Sequence, residues 1–215
     1  FNQLLGQLCI RVNRQEVKNS VRLFDEPLTV IDPHLKWLLR RKLKEIHHEL
    51  KLSLIYVTHD QIEALTFADQ VVVMTQGEVV QVGSAQALFE EPEHTFVGYF
   101  IGNPGMNLLP CTVAHQLARI PGVDQPLPVP AGLPIGPASG TVRLGIRPEF
   151  VGCSKQKTDG ALPAQLNSVR NLGTHWLAVC QLGEYKIAAK LHQQPGVSGD
   201  MVWLQFPPAR TLYYV

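Results

Sequence analysis

At 215 residues the chain is long enough for one large or two small domains, and its 45% apolar and 17% charged residues are ordinary for a globular protein. A formal net charge of +1 gives no general attraction to nucleic acid, and no apolar run reaches the roughly 18 residues of a membrane span. The opening Phe1-Asn2-Gln3-Leu4-Leu5 lacks the basic region and cleavage pattern of a signal peptide, so the chain is expected to be soluble or held at a membrane through partners.

Val21 to Phe24 is a short apolar run that ends in two carboxylates, Asp25 and Glu26. Asp32-Pro33 is a helix start signal. After it, Leu35, Leu38, Leu39, Leu43, Ile46 and Leu50 fall at helical spacing, with Arg40, Arg41, Lys42, Lys44 and Glu45 on the other face. Leu54-Ile55-Tyr56-Val57 is a continuous β-prone run of the kind buried in a parallel sheet. Gln61 to Phe67 reads as a short helix. Val71 to Met74 and Val79 to Val82 flank the Gly-containing turn Thr75-Gln76-Gly77-Glu78, which predicts a hairpin. Ser84 caps a helix that runs to about Glu91 and stops at Pro92. Thr95 to Ile101 is a further short helix.

The character changes near Gly102-Asn103-Pro104-Gly105. Pro121 to Gly140 holds six prolines and four glycines, a composition that disfavours helix and central strand and predicts a long loop. Strands are expected at Thr141 to Ile146, Ala164 to Leu172, Trp176 to Leu182, Tyr185 to Leu191 and Met201 to Phe206, with a hairpin at Gly183-Glu184. Five or more short strands with tight turns suggest a small barrel. Cys9, Cys111, Cys153 and Cys180 have no metal spacing and read as reduced thiols.

The chemistry concentrates at Asp25-Glu26. A strand ending in two acids places them at the carboxyl edge of a sheet, where α/β folds bind ligands. Neighbouring residues of an extended chain point to opposite sides. Asp25 would then face a phosphate-bound Mg²⁺, which favours carboxylate and water oxygens, and Glu26 would face an attacking water. A strand entering a loop looks the same, so the motif needs company. Asp32 follows seven residues after Asp25. After the second strand come Thr58-His59-Asp60-Gln61 and Glu63-Ala64. A histidine there is ordinarily a capping or packing residue. One strand over from Glu26, its imidazole can hydrogen-bond a γ-phosphate or hold the catalytic carboxylate.

Leu23-Phe24-Asp25-Glu26-Pro27 resembles the Walker B motif of ABC ATPases, Thr29 to Asp32 resembles the D-loop, and His59 matches the switch histidine. Phe67 to Met74, Gly77 to Gly83, Pro92, Phe96-Val97 and Phe100-Ile101-Gly102 are similar to the stretch that follows in this family. Gly145-Ile146-Arg147-Pro148-Glu149 and Asn171-Leu172-Gly173 are similar to the C-terminal TOBE domain of maltose- and glycerol-phosphate-type importer ATPases. A structural corner is the bland reading of Arg147-Pro148-Glu149. The resemblance implies an α/β partial P-loop NTPase (ABC ATPase) domain over residues 1–105, degenerate over 1–20, and an all-β OB-like (TOBE) barrel domain over 106–215.

Several parts of the family pattern do not match. No Gly-x-x-x-x-Gly-Lys-Ser/Thr occurs in the sequence, the loop that would cradle phosphates, and no glutamine loop is found. The Leu-Ser-Gly-Gly-Gln signature has only Leu4-Leu5-Gly6-Gln7 in its place, and Asn13-Arg14-Gln15-Glu16 breaks the helix that should follow. The D-loop reads Thr29-Val30-Ile31-Asp32-Pro33.

In an intact relative the resemblance implies that two such subunits close head-to-tail on ATP. Asp25 would hold Mg²⁺ through water, Glu26 would activate the water, His59 would contact the γ-phosphate and Asp32 would reach across the dimer. The partners would be a second ATPase subunit (a homodimer), the transmembrane permease subunits and, indirectly, an extracytoplasmic solute-binding protein. The location would be cytoplasmic, peripheral on the inner face of the plasma membrane. Without the phosphate loop the 215 residues are expected to be inactive alone. A non-catalytic regulatory or scaffold protein is the alternative; an ABC ATPase acting on nucleic acid is disfavoured by the neutral charge.

Overall fold

The computed structural model describes residues 7–12, 21–28, 31–50, 53–130 and 142–215. Leu4 to Gly6 of the signature remnant, Asn13 to Glu16, Thr29-Val30 of the D-loop and the second half of the proline-rich segment lie outside the described residues. The chain divides into two compact units, 1–102 and 103–215.

In the first unit the elements are β1 (Gln7–Val12), β2 (Val21–Asp25), α1 (Pro33–Leu50), β3 (Ser53–Thr58), α2 (Gln61–Phe67), β4 (Gln70–Thr75), β5 (Glu78–Gly83), α3 (Ala85–Glu90) and α4 (Thr95–Phe100). The strands form one sheet in the order β2-β3-β1-β4-β5. Among the described strands only β2 and β3 are parallel, as a strand–helix–strand crossover requires. β1 runs antiparallel to both β3 and β4, so the sheet is mixed. Gln7, the last residue of the signature remnant, opens this strand and not a helix.

Local signals set the element ends. Asp60 Oδ1 accepts from the N–H groups of Ile62 and Glu63 and caps α2. Ser84 Oγ accepts from Ala87 N–H and caps α3. Gln76 and Gly77 both hold positive φ, 53° and 82°, the backbone of a two-residue type I′ hairpin. Gln81 stitches β5 to the segment after α3: its Oε1 accepts from Glu93 N–H and its Nε2 donates to Glu91 O.

Two expectations about burial change. The run Leu54 to Val57 was expected to be buried on both faces. Instead Leu54, Tyr56 and Thr58 are buried while Ser53, Ile55 and Val57 are half-buried, the alternation of a strand with one covered face. Most of the leucine stripe of α1 stays outside the core, on which Leu43 alone among its described side chains packs. Leu35, Leu38, Leu39 and Ile46 remain exposed, whereas Lys36, Arg40, Leu43 and His47, a second row at helical spacing, are half-buried or buried. Lys36 is drawn inward by a buried carboxylate, Glu63.

The second unit contains β6 (Asn107–Ala114), β7 (Leu117–Arg119), β8 (Leu127–Pro128), β9 (Val142–Ile146), β10 (Gly152–Ser154), β11 (Leu162–Asn171), β12 (Trp176–Leu182), β13 (Tyr185–Leu191), β14 (Met201–Gln205) and β15 (Thr211–Tyr214). Among the described residues they pair in two five-stranded sheets, β10-β14-β11-β12-β13 and β15-β9-β6-β7-β8. Inward residues of both sheets, among them Leu109, Leu144, Leu166, Cys180, Ile187 and Leu204, form one core. Asn107 joins the sheets. Its Nδ2 donates to Ile146 O and Ala188 O, and its Oδ1 accepts from Ala188 N–H.

Gly183 begins the β12–β13 turn with φ 56°, as a type II′ hairpin requires, and a Cβ there would stand 2.9 Å from Gly122 O. Arg147-Pro148-Glu149 forms the corner after β9. Arg147 is 2% exposed, burial lowers its pKa, and Glu149 Oε1 pairs with Lys190 Nζ at 2.7 Å. Cys111 and Cys180 are buried and Cys153 half-buried, all as free thiols. Among the described residues, no helix is long and apolar enough to cross a membrane.

Candidate functional site

β2 and β3 lie side by side in parallel with Asp25 in register with Val57, so both strands end at the same edge of the sheet. Glu26 N–H donates to Val57 O at 2.9 Å and prolongs the ladder by one residue. Glu26 then turns into the left-handed region at φ 44°, a conformation that costs a residue with a side chain roughly 1–2 kcal/mol. His59 follows the last residue of β3. Its Nδ1 lies 2.8 Å from Glu26 Oε1. An ionised carboxylate only accepts, so Nδ1 is the donor and the ring's remaining chemistry falls to Nε2. The two side chains are 48% and 37% exposed, within reach of a solvent-borne ligand.

Asp25, the last residue of β2, is exposed. One carboxylate at an open edge suits Mg²⁺, which keeps several waters and combines one or two carboxylates with phosphate oxygens. Among the described residues no group of three or more His, Cys, Asp and Glu side chains forms a protein cage for a metal. Asp32 bonds at the start of the next helix. Its Oδ1 accepts from His34 N–H at 2.9 Å and its carbonyl accepts from Lys36 N–H, so here it is the N-cap of α1. The structure therefore brings Glu26 and His59 together, with Asp25 beside Glu26 on the chain, and gives Asp32 a capping role.

Beneath this edge lies a cluster that spacing alone did not single out. Glu63 is 3% exposed. Its Oε2 accepts from Tyr56 Oη at 2.7 Å and from Thr58 Oγ1 at 3.2 Å. Lys36 Nζ lies 3.4 Å from its Oε1. Burial, and next the bond to Glu63, hold the Tyr56 phenol far above its usual pKa, so it remains a neutral donor. Tyr56 and Glu63 sit seven residues apart on different elements, which no strand or helix period links.

Comparison with known proteins completes the picture. A family model described as the MalK OB fold domain matches residues 102–151, and one described as the TOBE domain matches residues 144–213. The chain is thus similar to the C-terminal part of the ATP-binding subunits of ABC importers of the sugar and glycerol-phosphate type.

Its relatives include the sn-glycerol-3-phosphate import ATP-binding protein UgpC of Salmonella typhi, 39% identical over 191 residues, 87% of this chain and 53% of that protein. The UgpC proteins of Escherichia coli O157:H7 (37% over 194 residues, covering 87% and 53%) and Yersinia enterocolitica (37% over 202 residues, covering 91% and 55%) are similar. The chain thus spans about half the length of the curated relatives it matches. Among solved structures, the cytoplasmic molybdate-binding protein ModG aligns with 51% of this chain and 95% of its own, at a TM-score of 0.44 and 10% identity.

Proposed function

We propose that the chain serves in the ATP-hydrolysing subunit of an ABC importer for sugar- or glycerol-phosphate-like solutes, with hydrolysis driving transport. The observation that carries this reading is the 2.8 Å pair between Glu26 Oε1 and His59 Nδ1 at the shared end of two parallel strands, one residue beyond Asp25. Glu26 orients and deprotonates the attacking water. His59, its Nδ1 committed to Glu26, presents Nε2 to the γ-phosphate. Asp25 holds Mg²⁺ through water; the ion, when bound with ATP, supplies charge neutralisation on the phosphates. Asp32 reaches toward the second subunit while it caps α1. A second copy of the subunit, the permease subunits and an external solute-binding protein are the partners, on the cytoplasmic face of the membrane. The two-sheet unit adds dimer contacts and a regulatory surface.

The sequence contains no phosphate-binding loop, so the 215 residues alone are expected to show background turnover. The test joins them to the phosphate-binding half of a UgpC-type relative, with its permease, and measures ATP hydrolysis. Turnover that falls in Glu26→Gln supports the reading. Permease binding with no turnover favours the non-catalytic regulatory or scaffold role instead. Turnover by the 215-residue chain alone that vanishes in Glu26→Gln would overturn the expectation of inactivity.

A further inference from the structure

We infer that Glu63 is a positioning residue that fixes His59 against Glu26. The inference rests on the proposed role of that pair, and its basis is a closed ring of bonds around the His59 turn. On one side of His59, Thr58 Oγ1 donates to Glu63 Oε2 at 3.2 Å and accepts from Asp60 N–H at 3.0 Å. On the other side, Asp60 Oδ1 accepts from Glu63's own N–H at 3.2 Å and from Ile62 N–H at 2.9 Å. Both neighbours of His59 are thereby tied to one buried residue, by its carboxylate and by its backbone. The ring leaves His59 as the exposed knuckle of the turn, with its imidazole on Glu26.

Two further contacts anchor the ring in the unit. Tyr56, 1% exposed, donates to the same Glu63 oxygen from β3 at 2.7 Å. Lys36 reaches in from α1, the helix that Asp32 caps, and sets its ammonium 3.4 Å from Oε1. A carboxylate this deeply buried is costly unless its charge is balanced and its oxygens are engaged. A helix cap needs only Asp60. The expense of a buried charge is explained if the turn must hold one geometry, because a ring closed by a charged acceptor is stiffer than a cap alone.

The test is long-range ¹H–¹⁵N NMR of the imidazoles in the full 215-residue chain, at about pH 8, above the ordinary imidazole pKa of roughly 6.5. His59 is assigned by its loss in His59→Gln. The wild-type chain should show a fixed Nδ1–H tautomer, with well-separated Nδ1 and Nε2 shifts. Glu63→Ala should bring the two shifts toward a common averaged value. Glu63→Gln, which keeps an oxygen for Tyr56 and Thr58, should restore the separation. If Glu63→Ala does not fold by circular dichroism, Thr58→Val, which opens the ring by removing the bond to Glu63 and the acceptor of Asp60 N–H, carries the test.

A wild-type His59 spectrum in folded Glu63→Ala or Thr58→Val overturns the inference. So does an averaged spectrum in the wild type, or loss in Glu63→Gln as well as in Glu63→Ala. The readout needs no nucleotide. A failure of ATP turnover with the His59 signature intact would therefore count against the proposed function and leave the positioning role standing.

Discussion

Glu26 holds a left-handed backbone at φ 44° while its side chain closes on His59. The turn bends the chain at the point where the parallel ladder ends, and the hydrogen bond to Val57 O holds the bend in place. A substitution that keeps this shape but removes the base isolates the chemistry. In the joined ATPase, Glu26→Gln should lower kcat by about 10²–10⁴-fold, and His59→Ala by about 10²–10³-fold, both measured by phosphate release at saturating ATP. Asp25, Glu26 and His59 were legible in the sequence because each stands at the end of an apolar run, where the sheet edge must fall. Glu63 was named beside them but given no role, because its partners come from α1, β3 and the turn together. In the second unit, the Lys155 ammonium beside Asp200, followed by Val197 N–H, holds that carboxyl below the usual carboxylate range. Its folded pKa lies below the unfolded value. The stability it adds is therefore full above about pH 4 and is lost as pH falls through the folded pKa. Thermal unfolding followed across that window should show Asp200→Asn less stable than wild type near neutrality, and the two curves should converge in acid.

At the level of elements, the segments that sequence periodicity located are those whose signals are local. The β4–β5 and β12–β13 hairpins announce themselves through Gln76-Gly77 and Gly183-Glu184, and α2 and α3 through Asp60 and Ser84. The side of α1 that is buried was not legible. A leucine stripe says that a helix is amphipathic, but the charge of Glu63 decides that Lys36 turns inward. Short strands such as β7, β8, β10 and β15 were missed because three or four residues, or two in β8, hold no period of their own. Their pairing partners define them. The β12–β13 turn gives a sharp test. Gly183→Ala would force a side chain into positive φ and set its Cβ 2.9 Å from Gly122 O. It should cost about 1–3 kcal/mol in urea unfolding. Gly160→Ala shares the positive φ but meets open space, so the larger loss at Gly183 measures the close approach of Gly122.

For the molecule as a whole, the division into two units has a thermodynamic side. The core that runs from Leu109 to Phe206 lies wholly within the second unit, and β6 to β15 pair only among themselves. Residues 103–215 expressed alone should therefore fold cooperatively, with a strand-rich circular dichroism spectrum and one sharp thermal transition; a broad transition would show that the first unit is needed. The first unit assembles under a different constraint. Its β4–β5 hairpin closes across two residues and its β2–β3 pair closes across α1, but the neighbours of β1 are β3 and β4, which lie beyond both β2 and α1 in the chain. Closing the longer loop is the entropically slower step. During synthesis the Gln7–Val12 segment emerges before either neighbour exists. Its pairing with β3 and β4 waits until α1 and those two strands are made. Of the described strands of this sheet, the one at the centre is thus the one that waits longest for its partners, and its pairing sets the pace of assembly.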